Sequence, residues 1–218
     1  MIVVNLNWLN NPMNLQRILC FGDSNTWSSD PRHKKAGKRR LPFSNRWPGA
    51  LANLLGIEYE IVENGLSGRT SCHDDPEEGG GKSGYQAISQ LLELDNDFQL
   101  IIIMLGTNDM KAKFNQSAKD IRASIEQILS KIRNISQAEI LLVAPIRARQ
   151  IKQYRDAFQG AAQKSQDLAD ELRQLADQLN IAFFDAGAVA QASDDDGIHM
   201  TADQHKKLAT AMSLKIKE

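Results

Sequence analysis

The chain has 218 residues, 42% of them hydrophobic and 24% charged, with a formal net charge of −1. Such values fit one globular domain built around a single core. They offer no electrostatic basis for binding nucleic acid or a membrane surface, and no apolar run approaches the ~20 residues of a membrane span.

Residues 1–12, MIVVNLNWLNNP, lack a basic start, and Asn5, Asn7, Asn10 and Asn11 interrupt their apolar residues. They make a poor signal peptide and read as an N-terminal extension open to disorder, ahead of a single domain over 13–218. "RILCFG" (17–22) is predicted as the first strand. "RWPGALANLLG" (46–56) reads as a helix closed by Gly56, and "EYEIVENG" (58–65) as a second strand. A helix follows over 84–94. "FQLIIIMLG" (98–106) is the strongest strand, an unbroken apolar run of the kind buried on both faces. Ile121, Ile125, Ile128, Leu129 and Ile132 form a helical stripe. "AEILLVAP" (138–145) is a fourth strand. Leu168, Leu172, Leu175 and Leu179 mark another helix, "IAFFDA" (181–186) a fifth strand, and "TADQ" (201–204) a capping box opening the last helix. Five alternations of strand and helix predict a parallel sheet covered on both faces, an α/β fold in three layers. Cys20 reads as a buried thiol and Cys72 as a loop residue, a pair compatible with either free thiols or a disulfide. A reduced cytoplasmic protein is favoured, with an exported one (periplasmic or secreted) as the alternative.

In an open α/β sheet, ligands bind at the carboxyl ends of the strands. There the chain carries "GDSNT" after the first strand, "NGLSGRTS" after the second, "GTND" after the third and, farther on from the fifth, "DDDGIHMT". Singly, each is an ordinary turn or helix cap; Ser24 reads as easily as an N-cap as a nucleophile. Together they supply what acyl transfer needs: a nucleophile, a base, an orienting carboxylate and oxyanion donors. Ser24 is the candidate nucleophile, His199 the base and Asp196, three residues earlier, its orienting carboxylate. The backbone N–H groups of Ser24 and Gly65 and the Asn108 amide are the candidate oxyanion donors. Gly65 suits that role because no Cβ blocks the substrate.

The four segments resemble the SGNH (GDSL-type) hydrolases, with Ser24, Gly65, Asn108 and His199 where the four named residues fall. "RWPGALANLLG", "ENGLSGRTSCHDDP" and "LIIIMLGTNDMK" resemble the bacterial arylesterase and acyl-transferase (perhydrolase) subgroup, over about residues 17–218. The resemblance implies a flavodoxin-like α/β/α fold with a five-stranded parallel sheet. It implies a carboxylic ester hydrolase acting on short-chain acyl esters, with neither metal nor cofactor, and a homo-oligomer. One position departs from the common motif, which has Leu where this chain has Asn25. That change bears on the entrance to the acyl pocket, so Asn25, Trp27 and His73 are carried as candidate substrate-binding residues.

Other features have rival readings. His33, His73 and His205 are alternative bases, with His205 expected on the surface of the last helix. Asp194 and Asp195 compete with Asp196, while Asp23 and Asp109 read as turn-shaping residues. Trp47 serves equally as a core or a site residue. The basic stretch "RHKKAGKRR" (32–40) reads as a solvated loop, with an anion-binding patch or lid as the sharper alternative and the acidic "DDPEE" (74–78) as a possible counterpart. A carbohydrate O-acetylesterase or an acyl thioesterase would use the same site. A non-catalytic flavodoxin-like binding domain would need a phosphate cradle after the first strand, and "GDSNT" is a poor one.

Overall fold

Five strands form one sheet in the order β2-β1-β3-β4-β5: β1 (Gln16–Gly22), β2 (Tyr59–Gly65), β3 (Leu100–Met104), β4 (Glu139–Ala144) and β5 (Ala182–Asp185). Every neighbouring pair is parallel. This is a computed structural model describing residues 15–33, 39–150 and 154–218; the extension over 1–12 and residues 34–38 of the basic stretch lie outside the described residues.

Successive side chains of a strand face opposite ways, and here both faces are apolar. Leu19, Phe21, Ile101, Ile103 and Leu142 pack against α3 (Gly84–Leu94), α4 (Ala118–Ile135) and α5 (Ala161–Leu179). Ile18, Cys20, Ile102, Met104 and Val143 pack against α2 (Trp47–Leu55) and α6 (Ala202–Lys217). The continuous apolar runs of β1 and β3 therefore serve two cores, and the three-layer α/β/α expectation holds.

The helices begin where side chains can take their first N–H groups. Ser117 and Asp120 form a complete capping box at α4. Thr201 caps α6, but Gln204 turns its carbonyl to the N–H of Gln191, so the predicted box is only half made. β3 is shorter than predicted because Gly106, at φ +117°, turns the chain out of the sheet.

One further expectation changes and two open readings resolve. His205 is fully buried in α6 rather than exposed; its Nδ1 accepts the N–H of Trp47 at 3.3 Å, and burial drives its pKa down to about 3. Trp47 is a core residue. Both cysteines are free: Cys20 lies in the sheet and Cys72 Sγ donates to the Ser124 carbonyl. No helix among the described residues is long and apolar enough to cross a membrane.

Candidate active site

The order β2-β1-β3 makes the carboxyl ends of β1 and β3 the point where chain direction across the sheet reverses, the position where such folds bind ligands. After β1, Asp23 caps the single turn α1 (Ser24–Trp27) by accepting the N–H of Asn25 at 2.8 Å. Ser24 is thus the first helical residue and not the cap. One turn contributes little dipole, so Ser24 depends on its side-chain partners.

Those partners come from the turn between β5 and α6. His199 Nε2 lies 2.9 Å from Ser24 Oγ, and His199 Nδ1 lies 2.6 Å from Asp196 Oδ2. With Nδ1–H donated to the carboxylate, Nε2 is left to accept the serine proton. The other oxygen, Asp196 Oδ1, accepts the N–H groups of Ile198 and His199, both at 2.9 Å. All three side chains are buried. The rival carboxylates point elsewhere: exposed Asp194 pairs with Arg149, and Asp195 accepts the Ser193 hydroxyl at 3.1 Å.

Asn108 lies in a short 3-10 turn after β3, and its Nδ2 donates to the Arg69 carbonyl at 3.0 Å. One amide hydrogen is thereby used and the second remains. Arg69 is itself buried, its guanidinium donating to the Gly22 carbonyl (2.9 Å), the Asn64 carbonyl (2.6 Å) and Asn64 Oδ1 (2.9 Å) while stacking 4.1 Å from the Phe21 ring centroid. Burial lowers its pKa to about 10, against the pull of Asp23. Asp23 is pushed the other way, to about 6, chiefly by burial. Asp109 also reaches across to the loop after β2, accepting from the backbone and hydroxyl of Ser71, and so joins two loops.

Ser24, Asn108 and His199 border a cavity of about 30 Å³, together with Ser67, Gly68, Lys111, Tyr154 and Phe158. Gly65 is not on it. A Cβ on Gly65 would lie 2.1 Å from Trp27 N, so this glycine lets β2 pack against the backbone of α1. Gly68, at φ +81°, reaches the cavity instead; among the described residues no backbone carbonyl takes its N–H or that of Ser24.

The candidate substrate-binding residues also lie away from the cavity. Asn25 is buried and bonded to the backbone of Ile198 and Met200. Trp27 is half-buried beneath Arg40, which also pairs with Glu63. His73 is exposed, stacked on Phe114 and bonded to Gln116. In the acidic stretch, Asp75, Glu77 and Glu78 engage Lys111 and Lys113. At the start of the basic stretch, Arg32 pairs with Asp30.

Tyr154 and Phe158 come from the loop after β4, which a signature of glycine with small polar residues does not pick out. Tyr154 stands edge-on to His199 (centroids 6.0 Å apart) and to Phe158 (6.0 Å). A larger cavity of about 350 Å³ lies at the amino-terminal edge of the sheet, but it brings together no nucleophile and base. Among the described residues no group of three or more His, Cys, Asp and Glu side chains is arranged to hold a metal ion.

A parallel α/β/α sandwich with Ser, His and Asp meeting at the strand ends defines a class of hydrolases. The chain belongs to the GDSL-like lipase/acylhydrolase family, which it matches over residues 20–207, and is a hydrolase acting on esters. It is similar to an aryl esterase of M. smegmatis, with 33% identity and a TM-score of 0.88 over 93% of this chain and 98% of that one. Its likeness to Est24, a carbohydrate acetylesterase from Sinorhizobium meliloti, is close to that: 32% identity and a TM-score of 0.86 over the same shares. A lipase/acylhydrolase from Enterococcus faecalis, 16% identical with a TM-score of 0.69 over 93% of this chain and 96% of that one, shares the fold. No curated protein matches the chain.

Proposed function

We propose that the protein is a metal-independent serine esterase of short-chain acyl esters, with Ser24 as nucleophile. The observation that carries this reading is the continuous relay Ser24 Oγ, His199, Asp196, at 2.9 and 2.6 Å. Ser24 Oγ attacks the ester carbonyl as its proton passes to His199 Nε2. Asp196 holds the imidazole tautomer and stabilises the imidazolium. The oxyanion accepts from Ser24 N–H, the second hydrogen of Asn108 Nδ2 and the N–H of Gly68, which takes the role that the sequence analysis gives to Gly65. The alkoxide leaves with the proton from His199. Water, or an acceptor alcohol in acyl transfer, then attacks the acyl-enzyme by the same route, and Ser24 regains its proton.

The small cavity, walled in part by Tyr154 and Phe158, favours an acetyl-sized acyl group. A carbohydrate O-acetylesterase is the second reading: Ser67, Glu78 and Lys111 on the cavity wall offer polar partners for sugar hydroxyls, and Est24 is a carbohydrate acetylesterase. A homo-oligomer in the cytoplasm completes the proposal.

Ser24→Ala, with its fold intact, is expected to lose nearly all p-nitrophenyl acetate hydrolysis and all labelling by a fluorophosphonate. Retention of more than about a tenth of the rate would overturn the assignment, since loss of a nucleophile costs orders of magnitude more. Acetylated sugars, acyl-CoA and phenyl acetate assayed side by side separate the ester, carbohydrate and thioester activities. Mass in solution reads the assembly.

A further inference from the structure

The turn that carries His199 is closed upon itself. Asp196 takes the N–H of Ile198 and His199, the His199 carbonyl accepts the N–H of Ser193 at 2.8 Å, and the Ser193 carbonyl accepts that of Gly197 at 2.8 Å. These bonds fix the imidazole relative to Asp196, but none of them refers to Ser24. The groups they leave over are the carbonyl of Ile198 and the N–H of Met200, the two peptide groups on either side of His199. Both are taken by one side chain: Asn25 Nδ2 donates to Ile198 O at 3.1 Å, and Met200 N–H donates to Asn25 Oδ1 at 3.1 Å.

Asn25 adjoins Ser24 in α1, and Asp23 holds its own N–H at 2.8 Å. A primary amide is the side chain whose donor and acceptor lie side by side, as bracketing a residue through its backbone requires. Leu at this position can make neither bond, and an ionised Asp only the one it accepts. Among the described residues, the hydrogen bonds joining this turn to α1 are these two and the Ser24–His199 contact itself.

We propose that Asn25 is a positioning residue for catalysis, a two-point clamp that sets the Ser24–His199 distance by gripping the backbone on both sides of His199. This inference rests on the relay proposed above. It reassigns Asn25 from the acyl pocket to the alignment of the base, and makes the substitution at the fourth motif position a change in how the relay is held.

The test compares the full-length protein with Asn25→Leu, which keeps the branched heavy-atom skeleton but makes neither bond, and Asn25→Asp, nearly isosteric and keeping only the acceptor. A misplacement near 1 Å costs on the order of a hundredfold in rate. The expected result with p-nitrophenyl acetate is therefore a kcat lower by about 10–100-fold for Asn25→Leu, with KM within about twofold. Asn25→Asp should fall in the same direction, and fluorophosphonate labelling of Ser24 should slow in step. A merely structural role would lower Tm and leave kcat per folded molecule unchanged. A folded Asn25→Leu with kcat within about twofold of the parent overturns the clamp; should that variant not fold, the same criterion applies to Asn25→Asp. Ser24→Ala keeps the two claims apart. If it stays active, the relay itself is wrong; if it is inactive while the Asn25 variants match the parent, only the clamp falls.

Discussion

The carbonyl of Arg69 accepts the Asn108 amide at 3.0 Å, while the Arg69 guanidinium grips the ends of β1 and β2 through Gly22 and Asn64. One residue thus orients the proposed oxyanion donor with its backbone and ties two strand ends with its side chain. Replacing Arg69 by Met should lower the unfolding free energy by about 3 kcal/mol, since several charge-assisted bonds are lost and their buried acceptors stranded. The kcat should fall with it. Arg69→Lys should recover only part of either loss, because one ammonium cannot span both strand ends. Urea unfolding and esterase assays on the same samples check this.

Gly65 and Gly68 separate two meanings of a glycine near a site. Gly65→Ala puts a Cβ against the backbone of Trp27, which no rotamer change relieves, and should cost about 3 kcal/mol or more of stability. Gly68→Ala meets nothing nearer than 3.5 Å and suffers only its φ of +81°, worth about 1–3 kcal/mol. The second variant keeps its N–H, so it should remain folded and lose kcat only as far as the strained φ shifts that donor. Paired thermal melts and initial rates test the order; a Gly68→Ala protein less stable than Gly65→Ala would overturn it.

Phe158 and Tyr154 supply aromatic wall to the cavity, so trimming them should lengthen the acyl chain accepted. For Phe158→Leu the ratio of kcat/KM for butyrate over acetate esters should rise by roughly tenfold, the scale of a methylene or two in an apolar pocket. Phe158→Ala should go further but lose about 3–5 kcal/mol of stability. A p-nitrophenyl ester series reads the ratio.

Two buried groups push acid stability in opposite directions. Asp23, near 6 when folded against 3.8 as an ordinary carboxyl, binds a proton more tightly in the native state, so its contribution is present at low pH and lost as pH rises through about 6. His205, near 3 against 6.5, is protonated first in the unfolded chain, so its contribution is present above 6.5 and lost as pH falls toward 3. Between pH 4 and 6 they offset each other. Asp23→Asn should steepen the loss of stability on acidification by up to about 1.4 kcal/mol per pH unit, one proton's worth. His205→Gln should flatten or reverse it. Urea midpoints from pH 4 to 7 give both slopes.

Much of the frame was legible in advance because its signals are local. The apolar runs in β1 and β3 announce strands buried on both faces, and the three-residue step from Asp196 to His199 is short enough to imply their contact. Other features depend on what approaches from elsewhere. His205 looks like a surface residue until α2 covers it. Gly65 looks like a gap left for substrate until α1 fills it. Asn25 looks like pocket lining until the turn before α6 arrives. Tyr154 and Phe158 carry no pattern of their own, and only the cavity they line makes them conspicuous.

The Asp196–His199 contact spans three residues, whereas the Ser24–His199 contact spans 175. Closing the first loop costs the chain little entropy; the second cannot form until nearly the whole sheet has assembled. His199 and Asp196 therefore belong to one short cassette, while Ser24 meets them only late in folding. Local opening at the carboxyl end of β1 or at the start of α6 would separate Ser24 from an otherwise intact pair, so lost turnover would precede any change in the spectroscopic signature of the core.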